Sequence, residues 1–191
     1  FGAVVEETCD LSGIMDLARS APPLPAPPGT RDRPEARVRV GVANDAAFCF
    51  YYADNLDRLA RAGADLIFFS PMTDRLPDVD ALYLGGGYPE LHAAALAASR
   101  CREDVRQAAD DGMPVYAECG GLIYLTERLT TGDGDYPMAG ILPAAAVMTD
   151  RIQALGYVEA RVVGGAPVFA PGSAFRGHEF HYSRLDCAPD A

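Results

Sequence analysis

Four short apolar runs, Val38–Ala43, Leu66–Phe69, Ala81–Leu84 and Val115–Ala117, punctuate the first two thirds of the chain. Runs of this kind predict short strands of a largely buried sheet. Between them the period lengthens. Asn55–Gly63 turns Leu56 and Leu59 to one face, Glu90–Asp110 reads as one long helix, and another helix is expected over Leu122–Leu129. Strands alternating with helices imply right-handed crossovers and an α/β fold with a mainly parallel, doubly wound sheet. From Pro137 the pattern changes, and Met138–Met148, Leu155–Val163 and Phe175–Arg184 predict antiparallel C-terminal strands that extend that sheet.

The first residues are organised differently. Leu11, Ile14, Met15 and Ala18 recur at helical spacing, so residues 1–20 predict a short helical piece. Five prolines within Ala21–Gly29 exclude helix or central strand there and mark an extended linker. A boundary is expected at about Arg37, with residues 1–36 the tail of a preceding domain plus linker and 37–191 the main domain. The start at Phe1–Gly2 has no signal-peptide architecture and reads as a piece of a longer chain.

Composition narrows the chemistry. The 191 residues suffice for one medium α/β domain. A net charge of −11 argues against a nucleic-acid partner, and no apolar run approaches the roughly 18 residues of a membrane span. All the basic residues are arginine. The missing lysine removes both a P-loop lysine and a Schiff-base lysine from this chain. The cysteines Cys9, Cys49, Cys101, Cys119 and Cys187 are odd in number and lack C-x-x-C spacing, which disfavours a disulfide framework or zinc site and fits a reducing cytoplasm.

Cys119 stands apart from the other four. In Ala117-Glu118-Cys119-Gly120-Gly121 it joins a strand to a helix, with small residues two positions to either side. That is the layout of a nucleophile elbow, a tight strained turn that projects its central side chain, and helix amides beyond it favour thiolate. Read as a nucleophile rather than a buried small hydrophobe, Cys119 needs a base and donors for an oxyanion. The Gly120 amide is one natural donor; an amide of Gly86 or Gly87, in the glycine run that closes the third strand, is the other.

Three histidines are available, and His92 reads as a surface or capping residue. In Gly177-His178-Glu179-Phe180-His181-Tyr182, strand alternation sets His178 and Phe180 on one face and Glu179 and His181 on the other, which disfavours a two-histidine metal site. Spacing leaves the choice of base between His178 and His181 nearly open. His181 has the advantage of sharing a face with Glu179, a candidate orienting acid.

Four segments, Asp45–Leu56, Leu82–His92, Tyr116–Leu122 and Gly177–Ser183, resemble the cobyrinic acid a,c-diamide synthase family in order along about residues 1–186. The resemblance implies a class I glutamine amidotransferase-like fold and the C-terminal, glutamine-hydrolysing domain of such an enzyme. It implies Cys119 as nucleophile and His181 as its activating histidine. It also implies an N-terminal synthetase domain as partner, which binds ATP and Mg2+ and presents the corrinoid. No cofactor or metal is expected in this chain itself, and glutamine is its expected substrate. Tyr88, Arg151 and Tyr182 are candidates by type to grip glutamine. Class I amidotransferases usually carry a glutamate two residues after the histidine; here that position is Ser183, so the dyad runs alone or Glu179 substitutes. The rival readings are the same role on nickel-sirohydrochlorin, or a cysteine redox module that does not amidate.

Overall fold

In the computed structural model, which describes residues 2–24, 35–164 and 169–187, the chain divides into two units, residues 1–33 and 34–191. The first unit holds helices α1 (Gly2–Thr8) and α2 (Leu11–Ser20). Asp10 caps α2 by accepting the Gly13 amide at 2.9 Å. The expected proline-rich linker over 21–29 falls largely outside the described residues; Ala21–Leu24 has no regular structure.

The second unit is built on a parallel sheet. Strands β1 (Val38–Ala43), β2 (Ala64–Phe69), β3 (Ala81–Leu84) and β4 (Val115–Ala117) lie in the order β2-β1-β3-β4, and every neighbouring pair is parallel. Helix α3 (Ala53–Arg61) links β1 to β2. Because Ala43 pairs with Phe69 and Leu84 with Ala117, the carboxyl ends of the strands finish on one edge. The order reverses between β1 and β3, and a topological switch of this kind opens a crevice at that edge.

Three expectations are corrected. The long helix over Glu90–Asp110 is a 3-10 turn (Pro89–His92) followed by α4 (Ala93–Ala98) and α5 (Cys101–Asp110). Ser99 takes an extended conformation and its hydroxyl accepts the Cys101 amide at 3.2 Å, a local bond that replaces helix continuity. Helix α6 (Gly120–Leu125) stops short of Leu129. Fully buried Thr126 turns the chain into a strand, its hydroxyl 2.7 Å from the Ile123 carbonyl and 3.0 Å from that of Arg128.

The later strands do not extend the parallel sheet. β5 (Thr126–Thr131), β6 (Gly134–Pro137), β7 (Leu142–Met148) and β10 (Ser183–Cys187) form a second sheet in the order β10-β7-β5-β6. Its β5–β7 pair is parallel and its other pairs are antiparallel. β8 (Ala154–Arg161) and β9 (Ala174–His181) make a separate antiparallel pair. The reason is apolar burial. Leu129, Met138 and Ala146 join Leu84, Leu96, Val105 and Tyr124 in one core, so the second sheet packs into the hydrophobic interior beside the parallel sheet instead of prolonging its edge.

Candidate active site

Cys119 occupies the turn between β4 and α6 with φ 50° and ψ −112°, and is the non-glycine residue with positive φ among those described. Such a conformation costs on the order of 1–3 kcal/mol and persists only where its surroundings enforce it. Here they do. Glu118 donates its amide to the Leu84 carbonyl at 3.1 Å, and the Gly121 amide lies 2.9 Å from the carbonyls of Gly85 and Glu118. A Cβ on Gly121 would strike the Leu84 carbonyl oxygen, and one on Gly120 would stand 3.0 Å from Pro89 Cδ and 3.1 Å from the Gly87 nitrogen. The small residues of the elbow are therefore required by contact with β3 and the glycine loop. The thiol itself is exposed.

Gly85–Gly87 closes against the same turn. A Cβ on Gly86 would lie 3.6 Å from Cys119 Cβ, and one on Gly87 would strike the Ala47 carbonyl oxygen. Gly86 is bridged to Phe50, whose amide donates to its carbonyl at 3.0 Å. The amides of Gly87 and Gly120 donate to no protein acceptor among the described residues, and the two glycines are in near contact. The Gly86 amide likewise donates to no protein acceptor among the described residues, so all three expected donors are open, with Gly87 the one in near contact with Gly120.

The segment Asp45–Tyr52 holds this loop, a task the sequence reading had not assigned to it. Asp45 Oδ1 accepts the amides of Ala47 (2.8 Å) and Phe48 (3.1 Å), while Oδ2 accepts the Ser70 hydroxyl (2.8 Å) and the Met72 amide (3.2 Å). Phe48 is fully buried against Tyr124, edge to face at 5.4 Å. The Tyr88 amide reaches Ala47 O at 3.0 Å, so the Asp45 turn and the glycine loop are laced together. An aspartate followed by two alanines is the available signal, because Asp favours such turns.

Glu118 faces the sheet, where Oε1 accepts the Tyr83 hydroxyl at 2.7 Å and Oε2 the Tyr116 hydroxyl at 3.1 Å. Burial first, then the Glu118 charge, pushes Tyr116 up to about 12. Tyr83 is raised for the same reasons, so both phenols stay donors. These residues tie the amino-terminal side of the elbow to β3 and β4.

His181 ends β9. Its Nδ1 lies 2.6 Å from the Ser183 carbonyl oxygen and its Nε2 lies 2.9 Å from Glu179 Oε1. Strand alternation places Glu179 and His181 together as expected, while His178 packs on Tyr157 with ring centroids 6.0 Å apart. No hydrogen bond joins Cys119 to His181 among the described residues; both ring nitrogens are taken by Glu179 and Ser183. At Nδ1 the partner is therefore the backbone carbonyl of Ser183, two residues after the histidine. His92 sits at the amino end of α4 without a side-chain cap bond. No cluster of three or more His, Cys, Asp or Glu among the described residues could hold a metal ion, and no described helix is long and apolar enough to cross a membrane.

Of the glutamine-gripping candidates, Tyr88 is exposed directly after Gly87. Tyr182 and Arg151 meet at Thr149, whose hydroxyl reaches both their carbonyls, at 2.6 and 2.8 Å. Their side chains are not brought to Cys119 by any hydrogen bond among the described residues.

A chain of PurLQS from Thermotoga maritima shares the fold with a TM-score of 0.55 at 20% identity, over 80% of this chain and 71% of that one. Cobyrinate a,c-diamide synthase of Dehalococcoides mccartyi strain CBDB1 is 45% identical over 189 residues, covering 95% of this chain and 41% of the relative. The enzyme of the same name from Haloarcula marismortui is 47% identical over 188 residues, 97% of this chain and 42% of its own length. The chain thus spans about two fifths of the curated relatives it matches. With residues 39–191 matching the family described as the CobB/CobQ-like glutamine amidotransferase domain, the chain belongs to that family.

Proposed function

We propose that this chain is the glutaminase part of a cobyrinate a,c-diamide synthase, with Cys119 as nucleophile and His181 as its base. The observation that carries the reading is the strained, exposed Cys119 set against the open amides of Gly87 and Gly120. The sulfur attacks the side-chain carbonyl of glutamine and the carbonyl oxygen becomes an oxyanion. The two amides donate to it, which stabilises the tetrahedral state more than the ground state. His181 Nε2 shares the thiol proton and passes it to the leaving nitrogen, so ammonia departs and a thioester remains. Water, deprotonated at the same nitrogen, then releases glutamate. Nδ1–H donating to Ser183 O fixes the tautomer that leaves Nε2 for this work.

Ammonia so formed serves the remaining three fifths of the enzyme, where ATP and Mg2+ activate the a- and c-carboxylates of the corrinoid. The names of the relatives and their greater length support that part of the reading. The test uses the full-length chain carrying Cys119→Ala. Amidation should persist with added ammonium salt and disappear with glutamine as donor. Loss of both, in a folded protein, would contradict the division of labour.

A further inference from the structure

We propose that Glu179 is a latch on His181, holding its Nε2 away from Cys119 until the enzyme is engaged; this rests on His181 being the base. The hydrogen-bond network assigns the protons. A carbonyl only accepts, so the 2.6 Å contact with Ser183 O places a proton on Nδ1. Ring orientation is then already secured from the backbone, and nothing is left for an orienting carboxylate to do at Nδ1. Glu179 is instead at the other nitrogen, 2.9 Å from Nε2, and a carboxylate there holds a proton between itself and the ring. The nitrogen required by the sulfur is therefore occupied.

Nε2 directs one proton to one acceptor, either Glu179 or Cys119 Sγ. Exchange of the first for the second requires Glu179 to release Nε2, and both partners of that pair are partly exposed, His181 at 33% and Glu179 at 43% of the side chain. They also lie on the same short strand, two residues apart, so the latch is carried by β9 itself. A pair this accessible is weak, which suits a device meant to open; half-exposed ion pairs bias an equilibrium by about two- to five-fold.

The test compares Glu179→Ala and Glu179→Gln in the full-length chain, measuring glutamate release from glutamine without the amide acceptor. Glu179→Ala should raise kcat by about two- to five-fold at unchanged KM, and Glu179→Gln, which keeps a neutral hydrogen bond, should raise it less. A fall in kcat in both variants would make Glu179 an orienting acid and overturn the latch, as would an unchanged kcat. Nitrogen-15 NMR of the His181 ring gives a readout apart from turnover: Glu179→Ala should alter the Nε2 signal and leave Nδ1 unaltered, whereas an unaltered Nε2 overturns the proposal. His181→Ala separates the two readings. Full activity in that variant removes the base, whatever the ring signal says about the latch.

Discussion

The Tyr51 hydroxyl accepts the Gly85 amide at 2.9 Å and donates to the Ala43 carbonyl, so one phenol spans the carboxyl ends of β1 and β3. Its ring meets Tyr83 edge to face at 5.2 Å. Burial pushes Tyr51 up to about 12, so it remains a hydrogen-bond donor throughout the neutral range. Tyr51→Phe leaves a donor and an acceptor without partners, and should destabilise the fold by about 1–3 kcal/mol. Urea unfolding measures this, and a midpoint equal to the parent's would contradict the bridge.

Gly87 is predicted to tolerate no side chain. A methyl group there strikes the Ala47 carbonyl, the same oxygen that accepts the Tyr88 amide. Moving the loop displaces the Gly87 amide, the proposed second oxyanion donor. Gly87→Ala should therefore lower kcat by about 10²–10³ while leaving the circular dichroism spectrum native. Turnover equal to the parent's would show that the second donor lies elsewhere.

The elbow stores strain that chemistry uses and stability does not. Cys119 holds φ 50°, where glycine is at ease and other residues are not. Cys119→Gly should be more stable than Cys119→Ala by about 1 kcal/mol, since only the glycine relieves the backbone. Both variants should lack glutaminase activity. Equal melting temperatures would argue against a strained turn.

Alkaline pH should weaken the fold. Burial raises the Cys101 thiol from 9.0 to about 12, and Tyr51 and Tyr116 rise from 10.0 to about 12. Between roughly pH 9 and 12 the folded chain therefore binds more protons than the unfolded one, and stability falls as pH rises. Below that window these groups are protonated in both states and contribute no slope. Cys101→Ser and Tyr51→Phe should each flatten the decline in melting temperature, measured from pH 8 to 11. An unchanged slope in both would refute the assignment.

Much of the site was legible because its chemistry and its local geometry coincide. Cys119 with flanking small residues specifies an elbow, and period-two alternation alone puts Glu179 beside His181. The parallel sheet and its glycine-rich edge followed from four apolar runs. What escaped depends on single side chains that redirect the backbone. Ser99 interrupts the expected long helix and Thr126 ends α6, each through one hydroxyl. The turn Thr131-Gly132-Asp133-Gly134, which closes β5 onto β6, carries a hairpin signal that the apolar pattern overlooks. The arrangement of the later strands depends on which apolar faces meet the core, and strand alternation is silent on that. Asp45 and Tyr51 were visible as residues but not as supports, because their partners lie on β1, the glycine loop after β3 and the loop after β2.

The most direct measurement is glutamate release from glutamine by this chain beside Cys119→Ala and His181→Ala, each shown to be folded. Release should be present in the parent and absent in both variants, with a thioester adduct at Cys119 trapped only where Cys119 remains. Release that survives loss of Cys119 would contradict the account at its centre.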